Sequence, residues 1–469
     1  MTDKELLDKL SYKPKNVYEL LGTEETKKML DMCDEYREFL DKGKTERECV
    51  KLASCAAVEN GFVNIETKEK LVPGDKVYFV NRDKNVLLAI IGEEPCENGF
   101  NIVGAHIDSP RLDLKQNPLY ENTEMALLKT HYYGGIKKYQ WTAMPLSLHG
   151  VVFTTSGEKV EITIGEKESD PVFCITDLLP HLAKDQMSKK LSDGIEGEQL
   201  NILIGGIGVK SDEISEKVKF KILNILNTVY GIKEEDFFTA ELEAVPAYKA
   251  RNVGFDESFV GAYGQDDRVC AFTALKSIFD IREIPKKTAV CLLVDKEEIG
   301  SVGNTGMLSK FFEMAVAELI EKINGSFSMT SFNKNIKNSA FLSSDVGAAV
   351  DPNYENVFEK NNAAYAGHGM ILMKYTGSRG KSGASDASAE FVHEMVSLFN
   401  NNNVIWQAGE LGKVDQGGGG TIAMYIGNLN MNVIDCGVPV LSMHSPFEVT
   451  AKSDIYMAYK AYAAFYKDR

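Results

Sequence analysis

The sequence predicts an α/β fold, a mostly parallel sheet sandwiched by helices, carrying an inserted strand-rich second domain. Three observations lead there. Short β-branched runs alternate with helical periodicity both early and late in the chain; the middle third breaks that rhythm; and the polar residues capable of chemistry follow apolar strands.

Residues 24–59 read as helices, with Met29, Met32, Tyr36 and Leu40 at helical spacing and a break at KGKTERE. From Lys76 the runs VYFV, NVLLAIIG and FNIVGAHID read as strands, because Asn, Asp, Gly and Glu clusters bound them. In the middle, SLHGVVFTTSG, EKVEITIG and LNILIGGIG read as strands, whereas TDLLPHLAKDQ and EISEKVKFKILNILNTVYG read as helical. The α/β rhythm then resumes. QDDRVCAFTALKSIFDI is helical and precedes the buried strand KTAVCLLVD; NSAFLSSD, the helix of SDASAEFVHEMVSLFN, NNVIW and NVIDCGVPVLSMH continue it. The expected division is 1–112 with 249–469 as a discontinuous catalytic domain, and 113–248 as the inserted domain. A sheet of this kind collects its ligands beyond the carboxyl ends of its strands.

Bulk properties exclude several function classes. With 52 Lys and Arg against 68 Asp and Glu, the formal charge is -16, which repels nucleic acid and anionic membrane surfaces. MTDKELLDKLSYK has no apolar stretch of signal-peptide type, and no run reaches transmembrane length, so the expected location is cytoplasmic. The eight cysteines form no CxxC pair and read as reduced thiols. No phosphate-loop pattern or GxSxG elbow occurs, which leaves nucleotide binding and acyl-enzyme chemistry without support. His131, His149, His368 and His393 read as structural.

Polar clusters end four apolar runs: His106 and Asp108 after FNIVGA, Asp295 to Glu298 after TAVCLLV, Asp345 after AFLSS, and His444 after VPVLSM. Asp266 and Asp267 open a helix. One such residue is an ordinary cap or turn former. Five clusters rich in carboxylate and imidazole form a donor set suited to two zinc or similar ions. His106 and Asp108 share a strand face, so the carboxylate can hold the imidazole nitrogen that is turned away from a metal. Glu297 and Glu298 invite a division between ligand and proton acceptor, which spacing alone leaves open.

The motifs GAHIDSPRLDLK, LLPHLA with EGEQLN, GQDDRVCAF, DKEEIGS, SSDVGAAVDPNY and MHSPFEV occur in the order of a known family. Almost end to end, the chain resembles bacterial members of the aspartyl aminopeptidase family. That resemblance implies a zinc exopeptidase-like catalytic domain, and a metallo-aminopeptidase that releases an acidic or neutral N-terminal residue from peptide substrates. It implies that His106, Asp266 and Asp345 bind one metal and that Asp266, Glu298 and His444 bind the other, with Asp266 bridging. Glu297 becomes the general base on a metal-bridging water, Asp108 steadies His106, and the peptide bond after Asp266 is expected to be cis. The cofactors are two divalent ions, zinc first, with cobalt and manganese compatible with the same donors.

The resemblance further implies self-association, a tetrahedral dodecamer of dimers paired through the inserted domain, in which His181 reaches a neighbour's site. Lys374, in MILMKYTG, aligns with a position that meets an acidic first side chain. Many relatives carry RLDN where this chain has GQDD followed by Arg268, so the surroundings of the bridging acid differ. Other dinuclear exopeptidases, of the glutamyl or tetrahedral aminopeptidase type, and a catalytically silent assembly homologue are the alternatives.

Overall fold

The computed structural model describes residues 1–469. A nine-stranded sheet forms its centre, in the order Val63–Asn64, Lys76–Asn81, Asn85–Ile90, Ala289–Val294, Asn101–His106, Ala340–Ser343, Asn432–Gly437, Met370–Met373 and Trp406–Ala408. The four middle strands run parallel, and antiparallel pairs appear toward both edges. Asn85–Ile90, Asn101–His106 and Ala289–Val294 are buried at every position, which explains their unbroken apolar texture: helices or loops cover both faces. One face packs on Thr23–Lys42, Glu46–Glu59, Gln265–Phe279 and Lys452–Asp468, the other on Phe311–Asn324.

A six-stranded antiparallel sheet lies between residues 111 and 246, with a core of 20 buried residues of its own. Its outer helix is Lys217–Tyr230, ended by Gly231 in the left-handed conformation. A third sheet, of five short strands from residues 251–262, 347–348 and 439–451, was not apparent from the sequence.

One helical expectation fails. TDLLPHLAKDQ is irregular until the five-residue helix Lys184–Ser188. Pro180 cannot donate to a helical ladder and biases Leu179 toward extended backbone, and Leu178, Leu179 and Leu182 are exposed, so no core fixes a face. The helices Phe311–Asn324, Met329–Asn338 and Lys452–Asp468 complete the architecture. All eight cysteines are free thiols. No helix is long and apolar enough to cross a membrane.

Candidate active site

Three parallel strands of the central sheet end side by side at His106, Val294 and Ser343, and each releases polar residues into the same cleft. The five-stranded sheet faces them, supplying Asp266 just after Phe259–Ala262 and His444 just after Pro439–Leu441. Residues more than 300 positions apart thereby meet.

Asp266 sits at the centre. Its Oδ1 lies 3.2 Å from His106 Nε2, and its Oδ2 lies 3.2 Å from His444 Nε2. Asp345 Oδ1 is 3.9 Å from His106 Nε2, and Glu298 Oε2 is 3.4 Å from His444 Nε2. One carboxylate therefore faces two imidazoles with different oxygens, and each imidazole has a further carboxylate beside it. Glu297 Oε2 stands 3.9 Å from His106 Nε2. Asp266 and Asp267 are joined by a cis peptide bond, and their backbone is non-helical although they begin the helix.

Both glutamates reach the cleft because the chain turns there. Glu297–Ile299 is a 3-10 turn flanked by Lys296 and Gly300 in the left-handed conformation. Asp108 fastens that turn: its carboxylate accepts from the backbone N–H of Glu297 at 3.1 Å and of Glu298 at 3.2 Å. It also accepts from His106 Nδ1 at 3.2 Å, which leaves Nε2 to face Asp266 and, once deprotonated, a metal. Across the site, Glu448 plays a matching part. Its two oxygens accept from the backbone N–H of Asp266 at 3.0 Å and of His444 at 2.8 Å. The sequence reading missed Glu448; its place in MHSPFEV, four residues beyond His444, was the available signal. Asp267 is buried nearby, its Oδ2 accepting from the His106 N–H at 3.4 Å.

So many acids in a dry place cannot all stay ionised. Burial pushes Glu297 up to about 7 against the pull of His106, with Asp108 and Asp266 adding to the rise. Burial, then Asp266, raises Glu298 well above the carboxylate range, and burial, then Asp267, does the same to Asp345. Burial acts on Asp266 too, but hydrogen bonds from His106 and His444 outweigh it and hold that carboxyl below its ordinary value. His444 is pushed up to about 10, since its hydrogen bond to Asp266 and the charge of Glu298 overcome burial. Protons thus do the neutralising that a divalent cation would do better. Glu298 Oε1 is buried with no hydrogen-bond partner, an oxygen that a cation would satisfy. The residues fit a metal centre by donor chemistry, and the closest-spaced donors form two groups that share His106: His106 with Asp267 and Asp345, and His106 with Asp266 and Glu298.

The acids close one end of a cavity of about 460 Å³, whose other walls include Tyr375, Arg379, Lys381 and the glycine-rich stretch 409–420. Lys374 is not among them. In the strand Met370–Met373 and just beyond it, Ile371, Met373 and Tyr375 line the cavity, so alternation turns Lys374 outward, where it is exposed. His181 is likewise exposed and outside the cavity of its own chain.

The family model described as aminopeptidase I zinc metalloprotease (M18) matches residues 39–466. The chain belongs to the M18 family. It is 52% identical over 455 residues to the probable M18 family aminopeptidase 1 of Clostridium acetobutylicum, covering 96% of this chain and 97% of that one. The crystal structure of an M18 aminopeptidase from Thermotoga maritima superposes with a TM-score of 0.94 at 44% identity, covering 98% of this chain and all of that one. At 20% identity, the structure of the S. cerevisiae mApe1 dodecamer shares the fold, with a TM-score of 0.74 over 93% of this chain and 96% of that chain. Membership at this identity makes the chain an aminopeptidase, a hydrolase of a zinc metalloprotease family.

Proposed function

We propose that this M18 aminopeptidase works through two divalent ions, zinc in the first instance, held by His106, Asp266 and Asp345 on one side and by Asp266, Glu298 and His444 on the other. The observation that carries this reading is the Asp266 carboxylate, whose two oxygens each lie 3.2 Å from a different imidazole. Bound there, such ions supply Lewis acidity toward the scissile carbonyl and make an attacking water more acidic. Glu297, anchored by Asp108, would take the proton of the attacking water and return it to the leaving amine. Asp108 is the positioning residue for His106.

An acidic first side chain would meet one of the basic residues that line the cavity, Arg379, Lys381 or Lys413. Lys381 is 3.2 Å from Asp386, whereas Arg379 pairs with no carboxylate of the chain and is the better anchor. The division into 1–112 with 249–469 and 113–248 draws support from the separate six-stranded sheet and its own core. Pairing of chains through that unit, as in a dodecamer of dimers, is supported by the apolar residues it exposes. Leu178, Leu179 and Leu182 are 54%, 51% and 69% exposed, and they surround His181, which a neighbouring chain would cover. Buried free thiols and the acidic charge support a cytoplasmic address.

The test is release of Asp, Glu, Leu and Met from their amides by metal-stripped protein reloaded separately with zinc, cobalt or manganese, with bound metal counted in parallel. Two ions per chain and metal-dependent release support the reading. Folded protein that binds two ions and hydrolyses nothing would identify a silent homologue. Preference for Leu or Met would keep the chemistry and discard Arg379 as an acid anchor.

A further inference from the structure

The strand Met125–Tyr133 belongs to the six-stranded sheet, yet its last residue leaves that sheet's core and enters the metal site. The Tyr133 hydroxyl donates to Asp108 Oδ2 at 2.8 Å. Asp108 is the carboxylate that holds His106 Nδ1 and the backbone of both Glu297 and Glu298, so one phenol O–H restrains three site residues at once. The ring cannot swing freely. The Arg111 guanidinium stacks on it at 3.9 Å and is itself tied to Asp113 at 2.8 Å and Glu243 at 3.1 Å.

The next two residues touch the other half. Gly134 has φ +75°, and a Cβ there would stand 3.4 Å from both Cβ and Oε2 of Glu298. The Gly135 carbonyl accepts from His444 Nδ1 at 2.9 Å, which turns Nε2 toward Asp266 Oδ2 and Glu298 Oε2. A Cβ on Gly135 would come within 3.2 Å of that Nδ1.

We infer that Tyr133–Gly134–Gly135 is a positioning clamp, by which the six-stranded sheet orients both halves of the metal centre: the half at His106 through Asp108, and the half at His444 directly. The inference rests on the ligand assignment proposed above. It assigns these residues no contact with substrate.

Three variants test it. Tyr133→Phe removes one oxygen and keeps the ring under Arg111. Gly135→Ala crowds His444 at a residue whose φ is not positive, so the backbone accepts alanine. Leu128→Ala, in the same strand and 4% exposed in the sheet's own core, weakens the sheet without touching the site. Zinc affinity is read by competition with a chelator in two steps, and turnover is read at low and at excess zinc. The clamp predicts that Tyr133→Phe and Gly135→Ala each weaken a different step, about 10- to 100-fold, and that excess zinc restores kcat. Leu128→Ala should lower Tm and leave both steps unchanged. Wild-type affinity in both site variants, or equal weakening by Leu128→Ala, would overturn the clamp alone. A wild-type chain that takes up no metal would overturn the ligand assignment and the clamp together.

Discussion

His106 and His149 are equally hidden, at 1% and 2% exposure, and each ring lies between carboxylates. His149 donates toward Glu48 at 2.8 Å and Glu166 at 3.1 Å, but Lys44 and Lys249 pair with Glu166 at 2.6 and 3.0 Å. Two acids meet two ammonium groups there, and the cluster is balanced from within. Around His106, by contrast, Asp108, Asp266, Glu297 and Asp345 all come within 3.9 Å, and none of them forms an ion pair with a lysine or arginine. Only imidazoles answer that charge. A buried carboxylate cluster that brings its own cations holds a structure together, whereas one that lacks them is built to receive cations from outside.

The most drastic way to break this contrast is Asp266→Asn, which removes the negative charge shared between the two imidazoles. It should abolish turnover and lower bound zinc below two per chain, by elemental analysis of folded protein. Glu297→Gln comes next. Turnover should fall about 10²- to 10⁴-fold while both ions stay, and loss of an ion would make Glu297 a ligand instead. Metal removal separates the clusters in stability. Zinc at about 100 times Kd should return roughly 2.7 kcal/mol per site to stripped protein, seen as a rise in Tm, and His149→Gln should show the same rise.

The smallest effect concerns pH. His149 has its pKa raised: burial opposes the change, but its hydrogen bonds to Glu166 and Glu48 and their charges outweigh it. The folded state therefore holds this proton to higher pH than the unfolded chain, whose ordinary value is 6.5. Its contribution is fully present below that pH and is lost as pH rises through the folded value. Denaturant titrations should find His149→Gln less stable than wild type by on the order of 1.5 kcal/mol in mild acid, with the gap closing in alkali. A gap independent of pH would mean that His149 is held neutral.

The central strands were legible because a sheet covered on both faces demands unbroken apolar runs such as AVCLLV, and polar residues at their ends then stand out. The same rule located His106, Glu297, Glu298 and Asp345. It also set His106 apart from His149, which lies inside the strand Leu146–Phe153, although the lysines that balance His149 come from other segments. Glu448 and Tyr133 were illegible for a related reason: each acts through a partner that only folding brings near, Glu448 on Asp266 across 182 positions and Tyr133 on Asp108 across 25. The direction of Lys374 was not legible either, because a single residue of strand alternation decides which way a side chain faces.

The order in which the centre is supplied along the chain has a consequence during synthesis. His106 emerges early, while His444 and the Glu448 that supports it arrive only with the last strands. At about 5 to 20 residues per second, the ribosome needs roughly 20 to 70 s to pass from one histidine to the other. In the later part of that interval, once residue 266 has been made, Asp266 has only one of its two imidazoles to face. With the ligand set proposed above, a peptidase put together this way would gain its second imidazole, and with it a complete centre, only near the end of synthesis.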